Sequence, residues 1–311
     1  MNGSKGMMRG RAKELPSMED ILRFARVGPI GEEVPVVEYD GKTYDLRPLT
    51  ADIDGRFLAD QARQILPALS AGRLAPFVVE AGARWGAPIA RPSAIYCIGM
   101  NYAAHAAESG SAPPEHLVVF MKAPSSLAGP YDDVTIPRGS TKTDWEVELG
   151  VVIGARAHEL DSGAGARAAI AGYTVVNDLS ERDWQITRSG GQWSKGKSAP
   201  GFCPAGPWLV TPDEVDADDL RLRSWVNGSQ RQDSRTNDLI FSIEEVLIEL
   251  SSVLVLEPGD LILTGTPAGV AFSGRFPYLA HGDVVELEIE LVGRQRQEFV
   301  GYSEASSHTK E

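Results

Sequence analysis

Glu146 and Glu148 stand two residues apart in Asp144-Trp145-Glu146-Val147-Glu148-Leu149-Gly150. On a strand, residues i and i+2 share a face, so both carboxylates point one way and Val147 and Leu149 the other. A bare pair of this kind is commonly a solvent-facing edge. Here the run continues into Val151-Val152-Ile153, which reads as buried on both faces. Two carboxylates entering a buried strand repel each other unless a cation neutralises them. A hard divalent ion, Mg²⁺ or Mn²⁺, held through carboxylate oxygens would do so. Asp178 closes the apolar run Thr174-Val175-Val176-Asn177 and could supply a third carboxylate. It could equally cap a following helix containing Arg182-Asp183-Trp184.

A second constellation lies in Ile98-Gly99-Met100-Asn101-Tyr102-Ala103-Ala104-His105-Ala106-Ala107-Glu108. If residues 102–108 form a helical turn, His105 and Glu108 stand at i, i+3 and can meet. A carboxylate that fixes an imidazole tautomer makes a general base for activating water. A surface helix pair is the alternative. The other histidines have no such neighbour and read as structural. Two loops could hold an anionic ligand: Ser194-Lys195-Gly196-Lys197-Ser198, before the rigid stretch 202–208, and Leu263-Thr264-Gly265-Thr266-Pro267 at a strand end.

The elements that must position these groups are mostly short strands. Residues 34–46 predict a hairpin about Tyr39-Asp40-Gly41-Lys42. Leu58, Ala62, Ile65 and Leu69 fall at helical spacing, with Gly72 as a stop. Asn227-Gly228 predicts a type I′ hairpin. Val285, Leu287, Ile289 and Leu291 alternate with glutamates, as in a half-exposed strand. One helix opens at Ser242, with Glu245 completing a capping box, and must end before Pro258-Gly259. A small N-terminal α+β module at 1–85 and a main module at 90–303 follow, in an α+β, β-dominated fold of the sandwich, roll or barrel kind.

Composition narrows the function. The 311 residues carry 30 Lys+Arg against 43 Asp+Glu, a formal charge of −13, which argues against nucleic-acid or anionic-membrane binding. Two distant cysteines, Cys97 and Cys203, exclude a disulfide framework and a cysteine zinc site and fit a reducing compartment. Residues 1–13 are small, polar and basic with no apolar run behind them, which predicts a flexible start, no export signal and a cytoplasmic protein.

Five segments in order resemble the fumarylacetoacetate hydrolase family over roughly residues 92–300. They are 98–105, Asp144 to Glu148, Asn177-Asp178 through Arg182 to Gln185, Gly196-Lys197-Ser198 with Gly206-Pro207-Trp208, and Thr264-Gly265-Thr266-Pro267. The resemblance implies a mixed β-roll, usually a homodimer, with one Mg²⁺ or Mn²⁺ per subunit. It implies Glu146, Glu148 and Asp178 as metal ligands and His105 with Glu108 as the water-activating dyad. Lys197 would be catalytic, with Tyr102, Arg182, Gln185 and Thr266 lining the substrate site. The implied substrate is a small anionic 2-keto acid, a 2,4-diketo acid or acylpyruvate, cleaved hydrolytically at a C–C bond. Decarboxylation, hydration and isomerisation of keto acids share the fold, and a non-catalytic metal- or ligand-binding protein is the alternative of another class. Many bacterial relatives carry an acidic residue where this chain has Pro200, which removes a charge and a backbone donor beside Lys197.

Overall fold

The computed structural model describes residues 22–108, 110 and 112–302. The flexible start expected at residues 1–13 lies outside the described residues.

Two sheets make the frame. The larger has nine strands in the order Lys42–Asp45, Val34–Tyr39, Arg23–Val27, Leu209–Val210, Ile170–Asn177, Val147–Ile153, Leu261–Leu263, Ile95–Gly99 and Val118–Lys122. It is antiparallel except where Leu261–Leu263 runs parallel to Ile95–Gly99. The smaller sheet orders Ser229–Arg235, Arg221–Val226, Val284–Ile289, Gly293–Val300 and Val134–Thr135. The β-dominated roll expected from the sequence is the observed architecture. The N-terminal strands join the same nine-stranded sheet as those beyond residue 90.

The strand Val147–Ile153 explains why its sequence is almost uninterruptedly apolar: all seven residues are buried. Val147, Leu149, Val151 and Ile153 enter a core shared with the second sheet, where Leu222, Val285, Leu287 and Ile289 face them. That core also takes the inward face of the helix Ile243–Val253 through Val246, Leu247 and Leu250. Val152 turns the other way, into a core with Phe24, Phe57 and Ile65 from the N-terminal part. Glu148 points to this second side, so a charged side chain leaves the middle of a covered sheet.

The local expectations hold where chemistry fixed them. Asp40 and Gly41 both have positive φ, as do Asn227 and Gly228, so each pair makes a two-residue hairpin turn. Ser242 and Glu245 form the reciprocal cap. The helix expected through Leu58 and Leu69 forms in pieces: a π-type turn Phe57–Gln61, a 3₁₀ turn Ala62–Gln64 and an α-helix Ile65–Ser70. Pro67 accounts for the break at Ala62–Gln64, since its ring clashes with the Arg63 carbonyl four residues back and it offers no N–H.

Asn101 joins the loop leaving one central strand to the loop leaving its neighbour. Fully buried, it donates to the carbonyls of Phe241 (3.1 Å) and Thr264 (2.9 Å) and accepts from the Phe241 amide at 2.8 Å. Gly265 fits beside it at φ +104°, where a Cβ would come within 2.8 Å of the Asn101 Cβ. Replacing Asn101 with Ala should strand those backbone groups and destabilise the protein by about 3 kcal/mol, measurable by urea unfolding. A loss below about 0.5 kcal/mol would mean that these loops are held some other way.

Candidate metal centre

Glu146 and Glu148 sit on one face because the backbone stays extended through Asp144 to Leu149. Asp178 follows the antiparallel partner strand, where Val176 lies opposite Glu148. The Asp178 amide donates to the Glu146 carbonyl at 2.9 Å, continuing the pairing one step beyond the strand. Asn177 holds the same joint, its Oδ1 accepting from the Glu146 amide at 3.1 Å. Carboxylate oxygens of Glu146, Glu148 and Asp178 all lie within 4.8 Å of one another, and all three residues are buried. The cap reading of Asp178 fails locally, since its side chain binds lysines.

Three cations meet this cluster. Lys197 Nζ lies between Glu146 Oε2 (2.6 Å) and Asp178 Oδ2 (2.7 Å). Lys122 Nζ, also buried, donates to Asp178 Oδ1 at 2.6 Å. Arg182 bridges Asp144 (2.8 Å) and Glu146 Oε1 (2.7 Å). Glu148 has no ion pair among the described residues and accepts from the Gly265 amide at 2.7 Å.

The electrostatics follow. Burial pushes the Glu146 carboxyl up, but Lys197 and Arg182 together pull it well below its usual range. Burial, reinforced by the charges of Asp178 and Glu146, drives Glu148 well above its usual range. Lys197 is disfavoured by burial yet held charged by Asp178 and Glu146, so its pKa is raised. The donor set is all oxygen, convergent and short of positive charge at Glu148. It fits a hard divalent cation.

These groups open onto a cavity of about 250 Å³ whose wall includes His105, Glu146, Glu148, Arg182, Gln185 and Lys197. Thr266 lines it too, though its hydroxyl already donates to the Val147 carbonyl (2.9 Å) and accepts from Gln232 (2.7 Å). Gln185 Oε1 accepts from Arg182 at 2.9 Å. The expected dyad is adjacent without being hydrogen-bonded: His105 Nδ1 is 3.8 Å from Glu108 Oε2. Glu108 is instead engaged by Arg275 and by the Gly269 amide at 2.9 Å. Burial, above all, lowers the His105 pKa below its usual 6.5.

Tyr102, expected at the substrate site, lies elsewhere in the structure. It is packed into the larger core at 1% exposure and does not reach the cavity wall. It stands at the foot of the Ala103–Glu108 helix, its buried hydroxyl without a hydrogen-bond partner among the described residues. Pro200 is exposed in a turn with Gly201 and also lies off this wall. Reading the sequence missed Lys122 and the role of Asp144. Lys122 had one signal: in the strand Val118–Lys122 it shares the buried face of Phe120. Asp144 accepts from the amides of Ala271 (2.8 Å) and Phe272 (2.9 Å) besides binding Arg182, partners too remote in sequence to foresee.

Glu148→Gln keeps the size and the acceptor for Gly265 while removing the unpaired charge. It should raise the melting temperature of the metal-free protein by a few degrees and lower Mn²⁺ affinity at least about tenfold. Thermal unfolding with and without Mn²⁺ reads both. An unchanged Mn²⁺-induced shift would remove Glu148 from the ligand set.

Comparison with known proteins gives one answer. Residues 94–300 match the family described as Fumarylacetoacetate (FAA) hydrolase C-terminal. A relative from Burkholderia multivorans, named provisionally as a hydrolase, is 46% identical over 281 residues, covering 89% of this chain and 98% of its own. The crystal structure of 5-carboxymethyl-2-hydroxymuconate delta-isomerase from Mycobacterium smegmatis is 34% identical with a TM-score of 0.71, covering 91% of this chain and all of that one. Maleylpyruvate hydrolase from Sphingobium sp. SYK-6, solved with manganese(II) and pyruvate, is 27% identical with a TM-score of 0.74, covering 90% of this chain and all of that one. Match, identity and fold agree over the segments that build the carboxylate cluster, and the chain belongs to the fumarylacetoacetate hydrolase family.

Proposed function

We propose that this protein is a divalent-metal-dependent hydrolase that cleaves a C–C bond in a 2,4-diketo acid of the acylpyruvate kind. The observation that carries the reading is the convergence of Glu146, Glu148, His105, Lys197, Arg182 and Gln185 on one small cavity, with Asp178 completing the carboxylate cluster just behind its wall. The manganese and pyruvate of the maleylpyruvate hydrolase structure support the choice of metal and of product. Mg²⁺ or Mn²⁺ held by Glu146, Glu148 and Asp178 would supply Lewis-acid polarisation of the substrate's keto oxygen.

The chain's own groups do the rest. His105, kept neutral by burial, takes a proton from the water that attacks the distal carbonyl. Glu108 is one small side-chain movement from hydrogen-bonding the imidazole and orienting it. As the C–C bond breaks, the pyruvate side leaves as an enolate, and the buried Lys197 ammonium stabilises that charge where water cannot screen it. Gln185, its carbonyl fixed by Arg182, offers its amide N–H to a substrate oxygen. The scarcity of cysteine supports a cytoplasmic setting, and the family supports a homodimer. Among the described residues no helix is long and apolar enough to cross a membrane.

A second reading, decarboxylation or isomerisation, draws on one feature: Glu108 is occupied by Arg275 and Gly269 rather than by His105. Decarboxylation of oxaloacetate needs no activated water. Turnover of acetylpyruvate and of oxaloacetate with and without EDTA therefore separates the two. His105→Asn should cut acetylpyruvate hydrolysis by about 10²–10⁴ and leave Mn²⁺ binding intact. Equal loss of both activities at full metal occupancy would favour the second reading, and no loss of either would remove His105 from the chemistry.

The pH profile gives an independent check. His105 must be neutral to act as a base, and its pKa is lowered, so activity falls only as pH drops through a value below 6.5. The acid limb of kcat/KM should lie there. A limb above 7 would assign the base to another group.

A further inference from the structure

Beyond the groups that hold a keto acid, the cavity wall is apolar: Ile98, Met100, Phe120, Ile186, Trp193 and Phe272. Ile186 and Phe272 stand 46% and 39% exposed there, and the paired Arg182 guanidinium lies over the Phe272 ring, 5.2 Å from its centroid. Trp193 is fixed against the backbone, since a Cβ on Gly99 would come within 2.5 Å of its ring. Phe120 packs on it with ring centroids 5.4 Å apart.

The cations of the wall pair with the carboxylate cluster. Lys197 and Arg182 are the lysine and arginine side chains that line the cavity among the described residues, beside His105, and each pairs with two carboxylates. Lys195, one turn position away from Lys197, is exposed and donates to the Arg188 carbonyl at 2.9 Å. The local charge makes the same point. Asp144, Glu146, Glu148 and Asp178 face Lys122, Arg182 and Lys197, so a divalent ion leaves an excess of one positive charge. The carboxylate of a keto acid takes up that excess, and a second carboxylate would enter an apolar wall unpaired.

Resting on the keto-acid reading above, we propose that the group beyond C4 of the substrate is uncharged and apolar, an alkyl or aryl acyl chain, and that Ile186 and Phe272 select it. Among the described residues no lysine or arginine beyond Lys197 and Arg182 lines the cavity, so a dicarboxylate of the same length binds more weakly.

The test uses two acids of equal carbon number that lack the C4 carbonyl and so cannot be hydrolysed: 2-oxohexanoate and 2-oxoadipate. Isothermal titration of each into the Mn²⁺-loaded full chain should give 2-oxohexanoate a Kd at least about tenfold lower. Ile186→Lys, at an exposed position that tolerates the change, should tighten 2-oxoadipate about tenfold and weaken 2-oxohexanoate. Equal or tighter binding of 2-oxoadipate by the unaltered protein overturns the proposal while leaving the keto-acid reading in place. Failure of both acids to bind overturns the keto-acid reading and the proposal with it. The predicted preference in a protein that does not hydrolyse acylpyruvates upholds the pocket assignment and rejects the hydrolytic step alone.

Discussion

Carboxylates packed within 4.8 Å of one another inside a covered sheet are the constraint on which the rest of the molecule turns. Like charges at that separation, removed from water, cannot all stay ionised without compensation. The protein supplies three cations from three different places: Lys122 from an outer strand, Arg182 from the turn after Ser180–Glu181, and Lys197 from a short helix. Compensation is deliberately incomplete at Glu148, whose carboxyl is left with a backbone N–H and a strongly raised pKa. That position also lines the cavity.

The fold serves this arrangement. Two antiparallel strands bring Glu146, Glu148 and Asp178 to one face because alternate residues of paired strands share a side. Burial of the opposite residues in the inter-sheet core fixes the register, since a slip by one would turn every carboxylate into apolar packing. The loop Thr264 to Pro267 then closes over the strand ends. Its Gly265 amide holds Glu148, its Thr266 hydroxyl holds the Val147 carbonyl, and Asn101 ties the loop to the start of the His105 segment. Base, anion-stabilising lysine and carboxylates are positioned by separate chain segments that meet only in the folded state.

What the sequence revealed divides along the range of the interactions. The Glu146 and Glu148 pair, the Asp40-Gly41 and Asn227-Gly228 turns and the Ser242 cap are written within a few residues, and each is found where the local chemistry demands it. The split helix at 57–70 was legible only through Pro67, and the periodicity of Leu58 and Leu69 concealed it. Lys122 and Asp144 take their meaning from partners 56 and 38 residues away, and Tyr102 from the core it fills. The separation of His105 from Glu108 could not be read either, because it depends on Arg275 and Gly269 far along the chain.

A divalent cation binding at the triad is the claim from which the rest follows, and its position is directly observable. Crystals grown with Mn²⁺ should show a strong anomalous peak, collected near the manganese edge, enclosed by carboxylate oxygens of Glu146, Glu148 and Asp178. An empty triad with Lys197 still bridging Glu146 and Asp178, at a Mn²⁺ concentration that supports turnover, would contradict the account.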